Sequence, residues 1–233
     1  MGNATAFRTL RDDQRNVAPL RRVHAPASYQ YRIAPRPIGG APKRAFDIIA
    51  TTLGLALLSP ILFLIALLIR FESPGPALYR QLRTGFRGRA FVIFKFRTMY
   101  AMEDGHSIQQ ARPNDTRVTP LGRVLRRTSI DELPQLLNVL KGDMSLVGPR
   151  PHAVRHDHDF FVVDDQYPLR FLARPGITGA AQVAGARGVT DTSHKVERRL
   201  LHDLDYVERW SLRRDVAILF RTVALLFGDR NAC

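Results

Sequence analysis

From Phe46 to Ile69 the chain is almost wholly apolar, broken only by Asp47, Thr51, Thr52 and Ser59. As a helix this stretch would be roughly 36 Å long, enough to cross a hydrocarbon layer of about 30 Å. Ser59 and Pro60 lie near its middle, where a proline removes a backbone donor and crowds the preceding turn. Lys43 and Arg44 precede the run, and Arg70, Arg80, Arg83, Arg87 and Arg89 follow it. Basic flanks mark the cytoplasmic side of a membrane, and here both flanks are basic. The pattern predicts a re-entrant helix, broken at Ser59–Pro60, that enters and leaves by one face. A kinked single span is the alternative.

The pattern then changes. Pro74, Gly75 and Pro76 predict a turn, and residues 84–89 a glycine-containing loop, so a short β-hairpin is expected here. The strand period of two puts Lys95 and Arg97 on one face, as phosphate-gripping cations or as the solvated face of an edge strand. Residues 101–117 are polar and read as a loop. Thr119 and Pro120 then predict a helix start, with Leu121, Val124 and Leu125 on one side and Arg123, Arg126 and Arg127 near its end.

Residues 129–151, SIDELPQLLNVLKGDMSLVGPRP, place two adjacent carboxylates, Asp131 and Glu132, ahead of apolar positions Leu133, Leu136, Leu137 and Leu140. Ser129 with Glu132 reads as a capping box, Gly142 as the helix stop, and Arg150 is held extended between Pro149 and Pro151. Acids in a first turn stabilise helices through the dipole, so this pair is either ordinary helix grammar or a catalytic dyad. The arginines just before it favour chemistry, because cations lower carboxylate pKa values and bind phosphate. Residues 152–170 hold several histidines and aspartates without zinc-type spacing and read as a polar surface loop. Residues 195–209 are amphipathic through Val196, Leu200, Leu204 and Val207. Residues 216–227 are too short to span and predict a buried or interfacial helix.

Composition narrows the partners. The chain has 233 residues, 45% of them hydrophobic, and a net charge of +14. It can therefore build a core, and it calls for a polyanion: nucleic acid, anionic lipid or a phosphorylated substrate. A nucleic-acid binder would leave the apolar run unexplained and shows no reading motif, and a non-catalytic membrane scaffold would leave the dyad as mere caps. Residues 1–42 are basic and proline-containing, with no apolar core of a cleavable signal near Met1. The single cysteine, Cys233, excludes an internal disulfide. The expected organisation is a flexible basic tail (1–42), a membrane helix (43–72) and a catalytic domain (73–233). The fold class is α/β: a mostly helical small catalytic domain with a short β-hairpin, anchored by the re-entrant helix.

Several motifs in this order, the KRAFD entry, Ser59–Pro60, FKFRTM, SIDELPQLLNVLKGDMSLVGPRP and RPGITG, resemble those of the bacterial sugar transferases. These are the monotopic polyprenyl-phosphate phosphoglycosyl transferases, and the resemblance runs from about Lys43 to Phe227. It implies transfer of a phosphosugar from a nucleoside-diphosphate sugar, UDP being the expected base, to polyprenyl (undecaprenyl) phosphate. A nucleoside monophosphate is released, and Mg²⁺ assists. The implied setting is the cytoplasmic face of the bacterial inner membrane, among anionic lipids, at the start of exopolysaccharide or other glycoconjugate assembly, with no nucleic-acid partner. The resemblance further implies that Asp131 is the nucleophile of a covalent aspartyl intermediate and that Glu132 helps hold the metal. Arg126, Arg150 and Asp215 fall on functional positions. Two departures, Ala180 for the usual tryptophan and Ala184-Gly185-Ala186 for Asn-Gly-Arg with Arg187 displaced by one, lie in the region expected to touch the sugar nucleotide.

Overall fold

The computed structural model describes residues 36–100, 115–154, 157, 160, 161, 164–186, 188 and 192–228. Most of the basic tail, the 101–114 segment, Arg187, His156, His158 and Asp159 lie outside the described residues. The architecture is mixed α/β and mostly helical, with one β-hairpin and one long apolar helix.

Helix α1 covers Gly40–Glu72 and carries Pro60 inside it. The helix continues through the expected break for a local reason. Pro60 cannot donate to the carbonyl of Ala56, and the hydroxyl of Ser59 donates to that carbonyl instead, at 3.1 Å. A serine beside a proline thus re-satisfies the acceptor the proline orphans, which matters most where water is absent. One stripe of α1 is buried through Asp47, Thr51, Ile65 and Ile69, at helical spacing. The opposite face is bare hydrocarbon: Leu53 is 67% exposed, Leu57 80% and Phe63 67%.

Strands β1 (Leu78–Thr84) and β2 (Ala90–Phe96) pair antiparallel, Leu78 against Phe96 through Thr84 against Ala90. Arg87 takes a left-handed conformation (φ 59°) in the connecting loop. Helix α2 (Pro120–Arg127) starts as the sequence predicts, Thr119 Oγ1 accepting from the Gly122 N–H at 2.9 Å. Gly122 must be glycine, because a Cβ there would strike the Thr98 carbonyl.

The dyad segment departs from the capping-box expectation. Ser129 is left-handed (φ 57°) and caps nothing with its side chain. Residues Ile130–Gln135 wind as a 3-10 turn before helix α3 (Leu136–Lys141) begins. Pro134 has no N–H to close an α-turn on Ile130, and the Glu132 carboxylate is drawn to two cations rather than back to Ser129. Gly142 ends α3 at φ 89°.

Asn138, fully buried, sets the register of this segment. Its Oδ1 accepts from the Phe94 N–H at 3.0 Å and its Nδ2 donates to the Val92 carbonyl at 2.7 Å. The free edge of β2 is thereby satisfied and the dyad is docked beside Lys95.

Strands β3 (Ser145–Val147) and β4 (Gly176–Thr178) form a short parallel pair. Helix α4 (Ala180–Val183), helix α5 (Ser193–Glu208) and helix α6 (Leu212–Gly228) complete the body. The main core joins Phe91, Ile93, Val139, Met144, Val147, Tyr206 and Ile218, and α1 packs on it through Phe46 and Ala50. The far end of α1 packs elsewhere on the same body, Ile65 and Ile69 meeting Phe96 and Leu125. Helix α6 is half-embedded, Ile218 being buried while Phe220 is 73% exposed.

Candidate active site

The hairpin, α2, the dyad turn and the Pro149–Arg150–Pro151 segment converge on Glu132. Its Oε1 accepts from Lys95 Nζ at 2.7 Å and from Arg150 Nη2 at 2.5 Å. Its Oε2 accepts from Arg150 Nη1 at 2.9 Å, so Arg150 grips it with both prongs of the fork. Burial alone would raise the pKa of Glu132, but the charges of Arg150 and Lys95 win and hold it well below the usual carboxylate range.

Asp131, one residue away, titrates in the opposite sense. Its carboxyl is pushed up to about 6, first by burial and then by the negative charge of Glu132, with Lys95, Arg126 and Arg150 offsetting only part. None of the hydrogen bonds among the described residues engages its carboxylate. Two neighbouring acids with pKa values driven apart are the usual mark of divided roles. Asp131 is ionised at neutral pH yet more basic than an ordinary aspartate, which suits a nucleophile. Glu132 is a fixed negative charge that gathers cations.

Arg126, from the last turn of α2, donates through Nε to Thr98 Oγ1 at 2.9 Å. That contact orients the guanidinium while leaving its terminal nitrogens unengaged by described residues. The FKFRTM stretch therefore supplies both Lys95, on Glu132, and Thr98, under Arg126.

Arg97 and Asp215, both singled out in the sequence, lie elsewhere. The strand ends at Phe96, so Arg97 does not share the environment of Lys95. It is buried and donates to the carbonyls of Pro74 at 2.6 Å and Ser73 at 2.7 Å, closing the end of α1. Asp215 is fully buried and accepts from Lys43 Nζ at 2.6 Å, Tyr206 Oη at 2.7 Å and Trp210 Nε1 at 3.0 Å. These contacts hold α6 to the start of α1. Arg44 donates to the carbonyls of Val139 and Leu140 at the end of α3. Lys43 and Arg44 thus serve the fold, not a free basic flank.

The expected polar surface loop is corrected as well. His152 is 7% exposed and Asp157 fully buried, because Tyr167, Arg170 and Arg199 close around them. No local pattern announced Arg170 or Asp203, which pair across 33 residues of sequence.

Comparison with known proteins identifies the family. The family model described as bacterial sugar transferase matches residues 39–229. A Caulobacter vibrioides protein named UDP-glucose:undecaprenyl-phosphate glucose-1-phosphate transferase is 54% identical over 82% of this chain and 71% of its own length. An Escherichia coli protein of the same name is 51% identical over 82% of this chain, which covers 41% of that protein. A Rhizobium leguminosarum exopolysaccharide production protein is 45% identical over 78% of this chain and 92% of its own.

Proposed function

The chain belongs to the bacterial sugar transferase family, and from that premise we propose that it moves a sugar 1-phosphate from a UDP-sugar to undecaprenyl phosphate, opening exopolysaccharide synthesis. The names of its relatives support this donor, acceptor and pathway, with UDP-glucose the first donor to assay. The observation that carries the mechanism is the split dyad: a basic Asp131, its carboxylate unbonded among the described residues, beside a Glu132 that holds Lys95 and Arg150.

In the first half-reaction a carboxylate oxygen of Asp131 attacks the phosphorus bearing the sugar. A P–O bond forms, the bond to the bridging diphosphate oxygen breaks, and that oxygen leaves with UMP. In the second, an oxygen of undecaprenyl phosphate attacks the same phosphorus, and the Asp131 carboxylate departs with its electron pair. Splitting the transfer this way needs a nucleophile that is also a competent leaving group, which a carboxylate is. Arg126 and Arg150 would hold the non-bridging oxygens, Arg150 through the guanidinium hydrogens that Glu132 leaves free, and Lys95 would add a third charge.

The donor set also fits Mg²⁺, which takes one or two carboxylates together with substrate phosphates and water. Glu132 would hold it through Oε2, which accepts one hydrogen bond against two at Oε1, and it would neutralise charge on the diphosphate. The described residues contain no cluster of three or more metal-binding side chains, so the substrate must complete the site.

For the membrane we propose the re-entrant arrangement: the residues before Gly40 as a basic arm, Gly40–Glu72 as the inserted helix in place of the expected 43–72, and 73–233 as the body on the cytoplasmic face. Supporting it, Asp47 bonds to Ser145 and Leu146 near one end of α1 while Arg97 closes the other, and both partners belong to the same body. A helix fastened at both ends to one folded unit does not place that unit on two sides of a bilayer.

The test is isotope exchange. Enzyme and UDP-sugar without lipid should release UMP and exchange labelled UMP into UDP-sugar. Asp131→Asn should abolish both, and Arg126→Lys and Arg150→Lys should slow both. Exchange that persists in folded Asp131→Asn enzyme would rule out the covalent step, and unchanged rates in the lysine variants would remove the arginines from the site.

A further inference from the structure

Behind Arg150 lies a buried polar network that the transfer chemistry itself does not use. Its centre is Arg170, from the 3-10 helix Tyr167–Leu172, and it is 2% exposed. Its Nη2 donates to the main-chain carbonyl of Arg150 at 2.7 Å and to Asp203 Oδ2 at 2.8 Å, and its Nε reaches the same oxygen at 3.2 Å. Its Nη1 donates to Tyr167 Oη at 3.0 Å. Burial and the Arg170 charge push His152 down to about 3, so the imidazole is neutral. One tautomer then satisfies every contact but the 3.0 Å approach of Arg170 Nη1 to His152 Nδ1. His152 Nδ1–H donates to Tyr167 Oη, which donates to Asp157 Oδ1 at 2.5 Å, and Nε2 accepts from Arg199 Nη1 at 3.0 Å.

The segment this network grips cannot hold itself. Prolines on both sides of Arg150 leave it between residues that donate no main-chain hydrogen bond. The Pro149 carbonyl is fixed by the Gly176 N–H at 3.0 Å, and the next carbonyl, that of Arg150, is fixed by Arg170. We propose that Arg170 is a positioning residue for the transfer, holding the main chain of Arg150 where its fork meets the Glu132 carboxylate, with Asp203 on α5 holding Arg170 in turn. The inference rests on the reading of Arg150 as a phosphate-binding residue. Lysine cannot replace Arg170, because one ammonium cannot serve the Arg150 carbonyl, Asp203 and Tyr167 together in a fixed plane.

A double-mutant cycle on the full chain in detergent tests this, with wild type, Arg170→Lys, Arg150→Lys and the double variant compared in UMP release. Arg170→Lys alone should lower kcat about 10- to 100-fold, as misplaced site groups do. In the Arg150→Lys background the same change should cost less than about 3-fold, because the fork it positions is already gone. Full multiplication of the two losses would overturn the proposal and leave Arg170 a general stabiliser. Trp210 fluorescence melts confirm folding. Should Arg170→Lys fail to fold, Asp203→Asn, which keeps the guanidinium, carries the same cycle with the same expected non-additivity. Wild-type enzyme that releases no UMP would count against the functional reading, and the cycle is then read on the affinity for UDP, where the same coupling or its absence decides.

Discussion

Asp131→Asn should stabilise this protein while abolishing its turnover. The folded carboxyl titrates at about 6 against 3.8 for an unperturbed group, and burial is the largest cause. A carboxyl whose pKa is raised on folding costs stability wherever it must ionise. As pH rises past the unfolded value, the unfolded chain releases its proton first, and stability is lost until the folded carboxyl ionises near 6. Above that pH the loss is complete. At 1.36 kcal/mol per pKa unit it is about 3 kcal/mol, a ceiling because the side chain keeps some contact with solvent. Asparagine has the same shape and no charge, so it escapes the penalty. For a chain of this size the gain corresponds to roughly 6–12 °C in Tm at pH 7.5, and it should shrink through pH 6 and be largely gone by pH 4. The single tryptophan, Trp210, gives the signal for thermal melts from pH 4 to 8. Glu132→Gln is the internal control of opposite sign. Its pKa is depressed, so its contribution is present above the unfolded value and lost as pH falls, and substitution leaves Arg150 and Lys95 unpaired. That variant should lose about 1–3 kcal/mol at pH 7.5. A first-turn helix acid would behave differently, its removal costing about 0.3–1 kcal/mol. An Asp131→Asn protein no more stable than wild type at pH 7.5, with no pH dependence in the difference, would refute the reasoning.

Three further outcomes are expected. The rate of UMP release should fall about tenfold per pH unit below pH 6 as Asp131 protonates, and a rate that stays flat from pH 7 to 5 would separate it from the chemistry. Lys43→Met should cost about 3–5 kcal/mol, because it leaves Asp215 buried without its cation, and adding Asp215→Asn should recover part of the loss; strictly additive losses in Trp210 melts would deny the pairing. Cysteines placed near residues 41 and 70, probed with an impermeant reagent in oriented vesicles, should label from one side, and opposite-side labelling would sink the re-entrant helix.

Much of the fold could be read from the chain because its signals are local. The apolar run of α1, the hairpin with its loop at residues 84–89, the Thr119–Pro120 start of α2 and the Gly142 stop of α3 each depend on neighbours within a few residues. The gathering of Lys95 and Arg150 on Glu132 is not local: the chain marks Lys95 as a cation on a strand face and Arg150 as a residue between prolines, and nothing nearby pairs either with Glu132. What sequence could not show is where charge goes inside. Arg97, Lys43, Asp215, Arg170 and Asp203 are all buried, against the general tendency of charged residues to face water. Their partners are main-chain carbonyls or side chains far along the chain, and such pairings leave no periodicity. The period of two failed at Arg97 because the strand ended one residue earlier.

The Lys43–Asp215 clasp joins residues 172 apart in the chain, and that separation has a consequence for how the protein is made. The apolar helix leaves the ribosome long before the acid that fastens it exists. At about 5–20 residues per second, roughly 10–30 s pass between the synthesis of the two partners. During that interval Lys43 lacks its partner Asp215, and the stripe bearing Asp47 and Thr51 has nothing to pack on. The helix is therefore complete before the body that packs on it, and the body closes over it last.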